Sequence, residues 1–278
     1  MSSQIDALTR LFRDDDPETV DLVKEQLVLQ GEQAVADLRE IVNADSAIVA
    51  AHAQEVLHAI AGKKAASELE ALLKRDGELP LEEASLLIAE ALMPWIDTED
   101  SLRLLNDWGR ELSRRMAAAP SSESSEASVT LLIDYLHGEL GFDGNTQDYY
   151  NHENSLLPCV LESLKGLPLT LTLLYLFVGA RAGIVIHGVN LPGHFIARCG
   201  EIYFDPFHSG RILSIADCAD ILARQQIELS DEHLENPESR QILARLLANL
   251  SHAYGMEEGK WQKRMVDRWL GLVTGAEV

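Results

Sequence analysis

The amino-acid sequence predicts an α+β protein, rich in helix, with one small antiparallel sheet late in the chain. Three observations lead there. Apolar residues recur every three or four positions over the first eighty of 278 residues, without β-branched alternation. From Ile184 the texture changes to short alternating segments, Val185–Asn190, His194–Arg198 and Ile202–Asp205, joined by Pro192-Gly193 and Cys199-Gly200. Helical spacing then returns over Glu238–Tyr254 and from Trp261 to Val273.

Taken in order, Asp14-Asp15-Asp16-Pro17 caps a helix, because acidic side chains meet its first N–H groups and proline fits its first position. Gly31 and Gly62 then punctuate two similar passages. Superposing them brings Ala34 onto Ala65, Leu38 onto Leu69 and Ile41-Val42 onto Leu72-Leu73, a spacing of 31 residues. This resembles a short pair of HEAT-like helical hairpins, a class of structure that offers interaction surface more than chemistry. Asp76-Gly77-Glu78-Leu79-Pro80 marks a boundary. Helices follow over Leu81–Met93 and Ser101–Met116, and the Ser-rich stretch from Pro120 to Ser128 reads as a surface loop. Helical spacing resumes over Val129–Leu140, Gly141–Asn145 is a turn cluster, and Asn154-Ser155 caps a helix that stops at Gly166. Pro168 opens a buried helix, whose apolar run from Leu167 to Ala180 is too short to cross a bilayer. The expected organisation is a HEAT-like helical segment over 1–78, a core over 79–225 and a helical extension over 226–278.

Composition limits the partners. Forty-six per cent of the residues are hydrophobic, enough for an ample core. The 23 Lys and Arg stand against 45 Asp and Glu, a net charge of −22 that repels phosphate backbones and anionic bilayers. Neither nucleic acid nor membrane is an expected partner; the acidity reads first as solubility, with a basic protein as the candidate partner behind it. Three cysteines cannot build a disulfide framework, and Met1 to Asp6 lacks the character of a signal peptide, so a reducing cytoplasm is the expected location.

The densest chemistry lies in His194-Phe-Ile-Ala-Arg-Cys-Gly-Glu-Ile-Tyr-Phe-Asp205. If Cys199-Gly200 is a two-residue turn, Arg198 pairs with Glu201, Ala197 with Ile202, Ile196 with Tyr203, Phe195 with Phe204 and His194 with Asp205. One face is then apolar, and the other sets an imidazole beside a carboxylate. Such a pair serves a general base by fixing its tautomer and stabilising an imidazolium. It serves equally as a structural polar pair unless a third group joins it.

An ordered series of motifs extends beyond the hairpin: Asn154-Ser155-Leu156-Leu157 with Val160-Leu161-Glu162, Lys165-Gly166-Leu167-Pro168-Leu169-Thr170-Leu171, Gly188-Val189-Asn190-Leu191-Pro192-Gly193-His194-Phe195, and Phe204-Asp205-Pro206-Phe207. From Leu81 to Leu222 the chain resembles the transglutaminase-like core of bacterial Sir-B-type proteins. That resemblance implies a papain-like or transglutaminase-like fold, with a helix N-terminus packed on an antiparallel sheet. Active members carry Cys at that N-terminus, then His and Asp on successive strands; His194 and Asp205 match the second and third positions. The first falls at Pro168-Leu169-Thr170, with no cysteine. Thr170 and Cys159 are the candidate replacement nucleophiles, with Ser155 and Cys199 behind them, and Cys218 reads as packing. Asn154, Ser155, Asn190 and Tyr203 are candidates for the binding groove. His187, His194, Asp205 and His208 carry zinc-compatible side chains, but their spacing follows no recognised metal motif; neither metal nor cofactor is expected.

The functional expectation is a non-catalytic or divergent protein-interaction or regulatory module that keeps His194 and Asp205. The alternative is a peptidase, amidase or deamidase that uses them with a cysteine or water.

Overall fold

The computed structural model describes residues 3–44, 46–118, 124–256 and 260–276. The chain forms two compact units, Met1–Leu69 with Glu90–Ile96, and Glu70–Ala89 with Asp97–Val278. No described helix is long and apolar enough to cross a membrane.

The first unit contains α1 (Ser3–Leu11), α2 (Pro17–Gln30), α3 (Glu32–Ala44) and most of α4 (Ala47–Leu73). Asp16 caps α2 as its sequence predicts, accepting the Glu18 N–H at 3.2 Å and the Thr19 hydroxyl at 2.9 Å. Phe12, Leu27, Leu38, Ile41, Val49 and Val56 share one apolar core. Gly31 ends α2 with φ +61°, as a punctuating glycine should. Gly62 does not punctuate: it lies inside α4, where a Cβ would stand 3.1 Å from the Pro94 ring. Its small size serves close packing within an unbroken helix, so the two passages are not bounded alike.

The second unit takes the end of α4, most of α5 (Leu81–Leu92) and α6 (Thr98–Ala118). Residues 120–123 of the expected Ser-rich loop lie outside the described residues. Its remainder is helical: Ser124 accepts the Ala127 N–H at 3.2 Å and starts α7 (Ser125–Ile133). A π-helical turn, Asp134–Glu139, follows, closed by the Leu140 N–H on the Tyr135 carbonyl at 3.0 Å.

Asp143–Gly144 (β1) and Lys165–Gly166 (β2) form a two-stranded parallel ladder that sequence reasoning did not foresee. Between them, Asn154 and Ser155 end a 3-10 turn, and α8 (Leu157–Ser163) starts after Leu156 with no side-chain cap. The expected Asn154-Ser155 cap is therefore incorrect. Asn154 is buried and welds this loop, accepting from Asn145 at 2.9 Å and donating to the carbonyls of Asp148 at 2.6 Å and Tyr149 at 3.2 Å.

Pro168 starts α9 (Pro168–Arg181), and all but a few of its residues are buried. Arg181 at its end makes a bidentate bond to Glu82 at 2.7 and 2.8 Å, and Gly109 of α6 gives the Arg181 stem room to lie close. Against α9 lies an antiparallel meander of β3 (His187–Val189), β4 (Ile196–Cys199), β5 (Ile202–Asp205) and β6 (Arg211–Leu213) in that order. The rings of Tyr175 on α9 and Phe204 on β5 stand 5.7 Å apart. The opposite face of the sheet buries Ile196, Tyr203 and Leu213 with Cys218 and Leu222 of α10 (Ile215–Ala223). The C-terminal helices α11 (Ser239–Met256) and α12 (Lys260–Thr274) pack on each other.

The hairpin register departs from expectation by two residues. Cys199 pairs with Ile202, Arg198 with Tyr203 and Ala197 with Phe204, so the loop is Gly200-Glu201. Gly200, at φ +57°, occupies the first loop position, where a two-residue turn of the II′ kind wants glycine. The predicted Arg198–Glu201 ion pair is absent. Arg198 instead donates to Asn236 at 2.7 Å and lies 5.9 Å over the Tyr203 ring. Because the slip is an even number, every side chain keeps its predicted face.

Candidate functional site

Asp205 ends β5, and its carboxylate is used on both oxygens. Oδ1 accepts the N–H groups of Phe207 at 3.0 Å and His208 at 3.4 Å, capping the 3-10 turn Pro206–His208. Oδ2 lies 2.7 Å from His194 Nε2 and 2.7 Å from His208 Nδ1. A carboxylate only accepts, so each imidazole presents an N–H to it. The expected His194–Asp205 neighbourhood is present but diagonal: His194 lies in the loop before β4, and the register carries Asp205 toward Ile196.

Burial grades the three groups. The Asp205 side chain is 4% exposed, His194 12% and His208 59%. Burial by itself would raise the Asp205 carboxyl; the hydrogen bonds and charges of His194 and His208 outweigh it and hold the group below the usual carboxylate value. The carboxylate therefore stays an acceptor for the two imidazole N–H groups.

His208 completes the cluster; the sequence marked it only as one of four zinc-compatible side chains whose spacing follows no metal motif. Its signal is the order Asp205-Pro206-Phe207-His208: proline fixes the first position of a tight turn, and a turn returns the side chain three residues on to its capping acid. The Phe207 ring stands edge-on to His194 at 6.1 Å and to Tyr149 at 5.8 Å.

The cluster opens into a cavity of about 580 Å³, walled by Pro192 and Gly193, by Arg211 and Leu213 of β6, and by Asp217, Asp220, Ile221 and Arg224 around α10. Thr170, Ser155, Cys159, Cys199 and Cys218 are not among the residues lining it. The alternation of β5 explains this for Thr170. Phe204 faces Tyr175 of α9, so Asp205, the next residue, faces the α10 side. Thr170 is buried near the start of α9, and among the described residues its hydroxyl has no hydrogen-bond partner, His194 included.

The thiols are equally remote from thiolate chemistry. Burial, and then the nearby Glu153 and Glu162, push the Cys159 thiol up to about 12. Burial also raises Cys199 and Cys218. A nucleophilic cysteine requires the opposite shift. The Ser155 hydroxyl is buried without a hydrogen-bond partner among the described residues.

The remaining candidates carry the frame. Tyr203 is buried in the α10-side core. The Asn190 side-chain carbonyl accepts from Arg245 of α11, which also donates to the Leu191 carbonyl at 2.8 Å and lies 5.7 Å from the Phe195 ring. His187 pairs with Arg198 at the far end of the sheet and stands apart from the other histidines.

Comparison with known proteins agrees with this architecture. The model of the transglutaminase-like superfamily matches residues 99–248. A UPF0162 protein of Xylella fastidiosa is 32% identical over 213 residues, covering 71% of this chain and 73% of its own. A UPF0162 protein of Pseudomonas aeruginosa is 32% identical over 60% of this chain and 62% of its own. F-box only protein 21 of Mus musculus is 31% identical over 48% of this chain, which is 23% of that protein. No solved structure matches the chain. With the superfamily model spanning more than half the chain and the bacterial relatives extending beyond it, the protein belongs to the transglutaminase-like superfamily, among the UPF0162 proteins.

Proposed function

We propose that this is a divergent transglutaminase-like protein of the Sir-B type, in which His194 and Asp205 serve ligand binding and cavity architecture instead of thiol acyl transfer. One observation carries the reading: the cavity that exposes the pair contains none of the candidate nucleophiles. Acyl transfer needs a nucleophile within hydrogen-bond reach of its base. The raised thiols support the same reading, since none of the three is a thiolate near neutral pH. The cavity's mixed lining, with Arg211 and Arg224 against Asp217 and Asp220, suits a small polar ligand.

The test labels the full chain with iodoacetamide at neutral pH, alongside His194→Ala, His187→Ala and Thr170→Cys. The expected result is no labelling that depends on His194, in the native chain or in Thr170→Cys. Labelling of the native chain that is lost in His194→Ala and kept in His187→Ala overturns the proposal. So does fast, His194-dependent labelling of Thr170→Cys, because it would put the α9 start and the imidazole in one site.

The 2.7 Å His194–Asp205 contact favours a second reading, in which His194 activates water for amide hydrolysis. Peptide or amide hydrolysis lost in His194→Ala would select it.

A further inference from the structure

We propose that His194, Asp205 and His208 form a binding site for a divalent transition-metal ion, of which Zn²⁺ is the probe. Two imidazoles and one carboxylate offer a ligand atom each, and these three atoms lie within 4.8 Å of one another. Both imidazole nitrogens already converge on the same oxygen, Asp205 Oδ2, at 2.7 Å. A tetrahedral ion with metal–ligand bonds of about 2.0–2.2 Å holds its ligand atoms roughly 3.3–3.5 Å apart. The two 2.7 Å contacts therefore need to open by less than about 1 Å. Ring rotation of His194 and His208 supplies this, and His208 stands at the rim, 59% exposed, where it can turn.

The support around the ligands is already in place. Asp205 Oδ1 is held by the N–H groups of Phe207 and His208, which fixes the carboxylate plane and leaves Oδ2 for the ion, as the outer bonds of a metal-bound carboxylate do. Coordination needs each neutral imidazole to carry its proton on the other ring nitrogen, so the two N–H···O bonds are exchanged for two N–metal bonds. An imidazolium would release its proton on binding. Two nitrogens and one oxygen suit zinc or iron(II) over calcium or magnesium, which take oxygen ligands. With three protein ligands, the remaining coordination position faces the 580 Å³ cavity and is open to an exogenous ligand. A resident ion on His194 Nε2 would also keep the ring proton on Nδ1, the nitrogen that a thiol enzyme needs free as its base. The proposal goes beyond the non-thiol reading without resting on it, since zinc binding and thiol labelling succeed or fail separately.

The experiment is a competition titration of the untagged, chelator-treated full chain with Zn²⁺, repeated with Mg²⁺ and Co²⁺. One equivalent of Zn²⁺ is expected to bind, and Mg²⁺ at equal concentration is not. Cobalt is expected to bind without the intense sulfur-to-metal charge-transfer band of a cysteine site. His208→Ala, His194→Ala and Asp205→Asn should each weaken zinc binding by on the order of 10–100-fold or more, and His187→Ala should leave it unchanged. Because Asp205 and His194 also hold the fold, exposed His208 gives the decisive variant, with circular dichroism verifying that it folds. Absence of stoichiometric zinc binding, equal affinity for magnesium, a sulfur–cobalt band, or full binding in His208→Ala overturns the proposal.

Discussion

Replacing Thr170 by valine tests directly whether the buried hydroxyl near the start of α9 does polar work. The Thr170 hydroxyl is buried and has no hydrogen-bond partner among the described residues. A buried, unsatisfied polar group costs about 1–3 kcal/mol relative to a satisfied one. Valine has the same branching and nearly the same size, and its helix propensity is close to that of threonine. The exchange therefore removes a penalty without opening a cavity, and a gain of about 1–2 kcal/mol is expected. At about 2–4 °C per kcal/mol for a unit of this size, the thermal midpoint rises by about 2–8 °C. Circular dichroism follows the transition, with tryptophan emission as a second probe, because Trp108 sits 5.4 Å from Phe142 in the same unit. An unchanged or lowered midpoint would refute the argument: it would mean that the hydroxyl has a partner and that this position still does polar work.

Three other variants or titrations extend the test. Ultraviolet titration of the thiols should show no thiolate at pH 7, with the Cys159 signal delayed until the pH approaches about 12, because its pKa is raised and its protonated form persists well above the ordinary range; a thiolate at neutral pH contradicts this. Arg245→Ala strands the Asn190 side-chain carbonyl and the Leu191 carbonyl, and should lower stability by about 1–3 kcal/mol in a urea melt, whereas a silent change would mean that the α11 anchor carries no weight. Gly144→Ala places a Cβ against the Phe207 carbonyl and 2.7 Å from its ring, so about 1–3 kcal/mol of overpacking and a shifted His208 NMR resonance are expected; an undisturbed resonance would show that the 206–208 turn does not lean on β1.

The elements with local chemical signatures were legible in the sequence. Asp16-Pro17 and Pro168 both begin helices where proline fits the first position, and alternation located Ile202–Asp205 to the residue. The family motifs located His194 and Asp205, and the structure brings them together. Features set by tertiary packing were not legible. Both Cys199-Gly200 and Gly200-Glu201 read as hairpin turns, and only the wider ladder chooses between them. Asn154 carries a cap's side chain but spends it on the carbonyls of Asp148 and Tyr149, partners that exist only once the loop has closed. Gly62 looks like a break, yet answers to Pro94, thirty-two residues away. His208 was named among the zinc-compatible side chains but set aside on its spacing, because it comes near His194 only after Pro206 starts the turn.

The double duty of Asp205 bears on how such proteins diverge. One oxygen ties down the peptide of the next turn while the other holds the imidazoles, so mutating it costs foldedness as well as any chemistry. A lineage can exchange its attacking residue through a single codon and still be compelled to keep this acid. Across distant descendants, an aspartate here marks inheritance of the scaffold before it marks inheritance of a reaction.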